Sequence, residues 1–215
     1  MSPAAPPPEE AEILAALLAP AGRLVEPGCD PAPTLPEQAL LALALRTITA
    51  WRLPLTPLVT EALHHRMGLG QERRLDIHIA LQEALTNALL HGNLGLGSEL
   101  RGSFAGLGLL QEKIETGLSD PLRANRPVVV VARPAPPAHL WLEVRDYGQG
   151  FFPSGALPEG PAAPHAPRPG TPLGTPPPPH GRGLGLIRCL TESCEWRQES
   201  RTLAMLFPLA EAGGA

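Results

Sequence analysis

Cysteine is scarce in this chain: three residues in 215, Cys29, Cys189 and Cys194, scattered without metal-ligand spacing. An odd, sparse set excludes a disulfide framework and fits a reducing cytoplasm. Cys189 and Cys194 are expected to be buried thiols on or near a helix, the common state of free cysteine. Positive charge is also in short supply, with 17 basic against 21 acidic residues and a formal net charge of −4. That balance leaves no electrostatic footprint for nucleic acid or for an anionic membrane. Long apolar runs are missing too. The most apolar stretch, "ALLALAL" at 39–45, falls far short of the roughly 20 residues a membrane span needs. The opening "MSPAAPPPEE" has neither the basic start nor the apolar run of a secretory signal. The expectation is a cytoplasmic protein with no direct nucleic-acid partner and no membrane partner.

Proline, in contrast, is abundant, and its 28 residues mark the organisation. Residues 1–36 read as a loosely attached Pro/Ala-rich N-terminal extension carrying one short helix at 9–19, because proline-rich segments resist packing. The domain proper is expected over 37–210. "PEQALLALAL" (36–45) suggests a short helix, and "RTITAWRL" (46–53) alternates as a strand does. "PLVTEALHHRMG" (57–68) reads as a helix stopped by Gly68. A long helix follows over about 72–91, with Gly92 placed to end it in the left-handed conformation. Residues 98–118 read as a helix with Ser98 as its N-cap, and Pro121 suits the first position of another short turn. "PVVVVAR" (127–133) and "LWLEVRDY" (140–147) are the clearest strands. A helix over 181–193 and the strands "CEWRQ" and "TLAMLFP" complete the chain. Between Phe152 and His180, eleven of 29 residues are proline and no periodicity survives. A stretch of that length inside a compact domain is expected to be a lid or binding loop.

The helix over 72–91 raises the functional question. "LQEALTNALLHGN" (81–93) carries Glu83, Asn87 and His91 at four-residue spacing, on one helix face. Leu81, Leu85 and Leu89 form the opposite, core-facing stripe. Two further motifs follow in order: "RDYGQGFF" (145–152), an aspartate at a strand end followed by Gly-x-Gly, and "GRGLGLI" (181–187), a glycine-rich turn into a helix. Each makes chemical sense around a nucleotide. Asp146 can accept a hydrogen bond from an exocyclic amine such as adenine N6, and Gly148 and Gly150 let the backbone pass close to a flat base. The Gly181–Gly185 turn presents backbone N–H groups at a helix N-terminus, a natural anion site. Asn87 offers a neutral oxygen to Mg²⁺, and Glu83 can take a proton from an attacking hydroxyl or water. Singly, each signal also has an ordinary explanation: a solvated glutamate, a histidine favouring a helix C-terminus, a chance Gly-x-Gly. Together and in this order they are specific.

The three motifs resemble the GHKL superfamily of Bergerat-fold ATPases, which includes histidine kinases, heat-shock-90-type chaperones and gyrase-type topoisomerases. "ALQEALTNALLHGN" is similar to its N box, "DYGQGF" to its first glycine box, "GRGLGLI" to its second and "RTLAMLFP" to its final box, over about residues 45–208. The Glu-x-x-x-Asn-Ala-x-x-His-Gly form is most similar to the serine-kinase-type anti-sigma factors of bacteria. The resemblance implies an α/β fold, an α+β two-layer sandwich with a mixed sheet packed on helices, ATP bound among the helices, and a lid at 152–180. It also implies roles: Glu83 as general base; Asn87 as ligand to Mg²⁺; Asp146, Gly148 and Gly150 around adenine; Gly181, Arg182, Gly183, Leu184 and Gly185 against the phosphates; and Thr202 in the water network around adenine. The chain departs from the pattern at Arg201, where the family usually has glycine, and in the insertion at 94–126.

The function expected from these residues is an ATP/Mg-binding regulatory domain, a protein serine kinase of the anti-sigma partner-switching type. Its partner would be a regulatory protein, an antagonist or a sigma-like factor, and the family resemblance implies a homodimer. The alternatives are a non-catalytic ATP-binding regulator acting by protein contacts, and a histidine-kinase-like catalytic module using His64 or His65. An α/β domain with coincidental glycines would leave Asn87 and Asp146 unexplained.

Overall fold

The structure is a computed structural model and describes residues 6–97, 104–148 and 182–209. Six strands form one mixed sheet in the order β1-β2-β3-β4-β6-β5: β1 (Arg23–Val25), β2 (Leu41–Arg46), β3 (Pro127–Ala135), β4 (His139–Arg145), β5 (Ser193–Arg197) and β6 (Thr202–Pro208). β1 runs parallel to β2, and every other neighbouring pair is antiparallel. Helices α1 (Glu10–Leu18), α3 (Leu55–Met67), α4 (Gln71–Thr86) and α7 (Arg182–Leu190) bury their apolar residues against one sheet face, in a core shared by Leu17, Leu63, Ile77, Ile187, Val130 and Phe207. This is the two-layer α+β arrangement expected. The opposite face carries a small cluster, Ala42, Ala44, Val129 and Val131, covered in part by Leu35, Ala39 and Tyr147.

Two expectations reverse around residue 46. The predicted helix at 36–45 is strand β2, and the predicted strand at 46–53 is the short helix α2 (Thr47–Arg52). "LALALR" is buried along nearly its whole length because both faces of β2 are covered. A continuous apolar run of that kind has no periodicity to separate strand from helix. Pairing with the valines of β3, Leu43 opposite Val130 and Leu45 opposite Val128, decides the matter. In α2 the β-branched run favours strand locally, but its threonines are held from elsewhere. Thr47 donates its N–H and its hydroxyl to the Arg126 carbonyl, both at 2.8 Å, and Thr49 donates to Glu26.

The N-terminal region is not loosely attached. Ile13 and Leu17 of α1 are fully buried in the main core, and Arg66 of α3 reaches across to cap α1, donating from Nε to the Leu17 carbonyl at 2.8 Å. Glu26, just after β1, is buried and accepts from the Arg46 backbone N–H at 2.8 Å, Arg46 Nε at 2.6 Å and Thr49 Oγ1 at 2.7 Å. Proline-rich sequence on either side hid this contact, since its reason lies 20 residues further along the chain.

After Thr86, α4 widens into a π-helical turn, Asn87–Asn93, where the Leu94 N–H reaches back to the Leu89 carbonyl at 2.9 Å. Gly92 therefore does not end the helix in a left-handed conformation; it lies inside this turn, and the positive φ falls at Gly95. Helix α5 (Phe104–Ser119) seats Ile114, Leu110 and Leu118 on Leu90, Leu94 and Leu96, so the insertion packs against the end of the N-box segment. Pro121 opens α6 (Pro121–Ala124) as predicted, and Asp120 caps it, its carboxylate accepting the Leu122 N–H at 3.0 Å. Ser98, predicted as an N-cap, and the 152–180 segment lie outside the described residues.

Candidate functional site

Two of the three polar residues predicted to share one face, Glu83 on α4 and Asn87 at the start of the π turn, do so. Leu81, Leu85 and Leu89 are buried in the core, while Glu83 and Asn87 look the other way. What they meet is the first turn of α7. A methyl group added at Gly183 would lie 2.4 Å from Glu83 Oε2 and 3.8 Å from Asn87 Nδ2. A side chain there would have to turn the Glu83 carboxylate aside, so glycine lets that carboxylate lie against the helix start. The N-terminal N–H groups of α7 have no intrahelical partner and carry the positive end of the helix dipole. Asn87 is only 8 % exposed, and neither it nor Glu83 makes a side-chain hydrogen bond or ion pair to any described residue.

Asp146 follows the last residue of β4. Its carboxylate is 2 % exposed and accepts the Gly148 N–H at 3.0 Å through Oδ1. It lies directly over Gly92 of the π turn, where an added methyl would come within 2.3 Å of the carboxyl carbon. At Gly148 a methyl would sit 1.8 Å from the Gly92 carbonyl oxygen and 2.8 Å from Asn93 Cα. Gly92 and Gly148 thus let two backbones touch. This contact joins the strand end to the N-box segment.

Of the residues singled out from sequence, Glu83, Asn87 and Gly183 come together at one end of the site, and Asp146 with Gly148 at the other. Arg182 is the first residue of α7. Leu184 packs its side chain partly into the main core, so only its backbone faces the turn, and nothing crowds Gly185. Gly150 and Gly181 lie outside the described residues. Thr202 is brought beside Asp146 by the β4–β6 pairing, in register with Arg145; its hydroxyl donates to the Ser200 carbonyl at 3.0 Å and accepts from Arg145 Nε at 3.2 Å. Arg201 stands at φ +50, the left-handed region where glycine sits freely, and its carbonyl accepts the Asp146 N–H at 3.2 Å. The unusual arginine therefore keeps the backbone form of the expected glycine. His91, inside the π turn, bonds the Leu96 carbonyl through Nδ1.

Burial pushes the Cys29 thiol up to about 12, with the Glu26 carboxylate adding to the effect, and pushes Cys194 up to about 11. Cys189 is exposed on α7, contrary to the expectation that it is buried. Among the described residues no group of three His, Cys, Asp or Glu side chains is placed to hold a metal, and no helix is long and apolar enough to cross a membrane.

Sequence reasoning missed the fastening of the site. Asn93 closes the N-box motif, but its bonds to Thr47, Pro127 and Tyr147 come from three segments distant in sequence. Only its polarity at the end of an apolar segment signalled it.

Comparison with curated proteins gives no match, and neither does comparison with solved structures. The family model of the histidine kinase-like ATPase domain matches residues 49–207, a stretch that holds all three motifs and both ends of the site. With the mixed sheet, the polar stripe and the two glycine contacts in place, this chain belongs to the histidine kinase-like ATPase family, a family of ATP-binding domains.

Proposed function

We propose that this chain uses Mg²⁺ and ATP to phosphorylate a serine of a partner regulatory protein, in the manner of an anti-sigma partner switch. The observation that carries the reading is the convergence of Glu83 and Asn87, without partners among the described residues, on the first turn of α7 at Gly183. The residues fit the groups this chemistry needs. Asn87 would supply one neutral oxygen to Mg²⁺, which takes few protein ligands and relies on phosphates and water. When bound, the cation neutralises phosphate charge.

The chain's own groups then divide the work. Asp146, buried at the end of β4, accepts from an exocyclic amine and sets the base end. The N–H groups opening α7 face the phosphates. Glu83, one turn before Asn87, takes the proton from the attacking serine hydroxyl. His64 bonds the Leu69 carbonyl, and α3, which carries it and His65, is packed between α1 and α4, an arrangement that favours the serine-kinase reading over a phosphoaccepting helix.

The test is calorimetric binding of Mg·ATP to wild type, Asp146→Asn and Asn87→Ala, followed by phosphotransfer assays with Glu83→Ala as control. Micromolar binding lost in both variants, with serine phosphorylation lost in Glu83→Ala, is the expected result. No binding at millimolar ATP refutes the catalytic reading. Binding without any phosphotransfer makes the chain a regulator that acts by contact, with ATP as its conformational ligand.

A further inference from the structure

The site has two ends on different parts of the chain. Glu83, Asn87 and Gly183 sit on the α4 and α7 side; Asp146 and Gly148 sit at the end of β4. Asn93, at the end of the π turn that Asn87 begins, ties that segment to the Asp146–Gly148 segment by a side-chain bond. Asn93 is fully buried, and its Oδ1 accepts the N–H of Tyr147, the residue between Asp146 and Gly148, at 2.7 Å. Its Nδ2 donates to Thr47 Oγ1 at 2.8 Å and to the Pro127 carbonyl at 2.9 Å. Three of the amide's four hydrogen-bonding capacities are thus met by three separate segments. The backbone on either side is held as well: Arg126 donates to the Asn93 carbonyl at 2.7 Å, and Arg123 to the Leu94 carbonyl at 2.9 Å. Since Asn93 ends the π turn that Asn87 begins, the bond to Tyr147, beside the Gly92–Gly148 contact, helps to set how far the Asp146 end lies from the Asn87 end.

We infer that Asn93 is a positioning residue, one that touches no nucleotide itself but holds the base-binding and phosphate-binding ends of the site at the separation a nucleotide spans. The inference rests on the nucleotide reading given above. It differs from a purely structural role in what it does to affinity. A fold-stabilising residue, once lost, lowers the melting temperature and leaves the binding of the remaining folded molecules alike for every ligand. A positioning residue, once lost, leaves each end able to bind its own group but unable to bind both at once.

The experiment compares adenosine, which engages the base end alone, with ADP, which engages both. Calorimetry is run on the full chain at a temperature where each variant is folded by circular dichroism. Wild type is expected to favour ADP over adenosine by tenfold or more, and Asn93→Ala to reduce that preference by roughly tenfold while adenosine affinity holds within about threefold. An undiminished preference for ADP in folded Asn93→Ala overturns the inference. Should Asn93→Ala fail to fold, Thr47→Val removes one arm of the bridge, together with the hydroxyl's bond to the Arg126 carbonyl, and leaves the Tyr147 and Pro127 arms in place. There the preference is expected to drop by about threefold, and an unchanged preference overturns the inference equally. A wild type that binds neither ligand, or both alike, refutes the nucleotide reading itself and the inference with it, whereas a preserved preference in the variants refutes the role of Asn93 alone.

Discussion

Replacing Gly148 by alanine tests the central contact of this fold. The added methyl would lie 1.8 Å from the Gly92 carbonyl oxygen, 2.4 Å from its carbon and 2.8 Å from Asn93 Cα. All three are backbone atoms, so no side-chain rotation relieves the overlap, and the strand end must retreat from the π turn by well over an ångström. Overpacking a tight site costs about 1–3 kcal/mol. The retreat also pulls the Tyr147 N–H from Asn93 Oδ1, now 2.7 Å away, which adds about 1 kcal/mol. A loss of about 3 kcal/mol is therefore expected. With a urea m-value of about 2–3 kcal/mol/M for a chain of this size, the midpoint should fall by about 1 M. Trp51, Trp141 and Trp196 provide the fluorescence signal. Two other glycines serve as internal controls. At Gly183 the obstructing atom is Glu83 Oε2, the free end of a flexible side chain, so Gly183→Ala should change stability little while turning the carboxylate aside. At Gly185, within α7, a methyl meets nothing, and alanine should stabilise by about 0.5–1 kcal/mol. A Gly148→Ala midpoint within 0.2 M of wild type, or a loss no larger than that of Gly183→Ala, would refute the claim that these backbones touch.

Three further outcomes are expected. Arg201→Gly should relieve the cost of a side chain at φ +50, worth about 1 kcal/mol before the entropy of the new glycine offsets part of it; equal or lower stability in urea would show that the arginine is unstrained. Glu26→Ala should destabilise by about 3 kcal/mol or more, because the Arg46 and Thr49 donors lose their buried acceptor; a change under about 1 kcal/mol would return the N-terminal region to the status of an appendage. Alkylation at pH 8 should label exposed Cys189 first, while half-buried Cys29 and Cys194, raised by burial to about 12 and about 11, react more slowly. The same shifts carry a sign for stability: thiols whose folded values are raised favour the native state below the ordinary thiol range, and that contribution is lost as pH rises through about 11–12. A two-site burst of labelling in native protein would contradict this.

The site was legible wherever its information is local. Four-residue spacing on α4 placed Glu83 and Asn87 opposite the leucine stripe, because helix geometry depends only on neighbours along the chain. Asp146 at a strand end, the strands β3 and β4, and the Pro121 start of α6 were readable for the same reason. Residues 36–53 misled because a strand covered on both faces shows no alternation, and because the threonines of α2 answer to Arg126 and Glu26 rather than to their neighbours. Gly92 looked like a helix terminator; its reason is the carboxylate of Asp146, 54 positions away.

What the sequence determined by itself was the order of the site's parts: a polar stripe, an aspartate with glycines, and a glycine-rich helix start. What only the tertiary structure decided was how those parts are held. The N-terminal helix became part of the core, Arg201 took over a glycine's backbone form, and Asn93 became the bridge between the two ends of the site. Those outcomes depend on pairings between segments tens of residues apart, where burial and hydrogen bonding outweigh local preference.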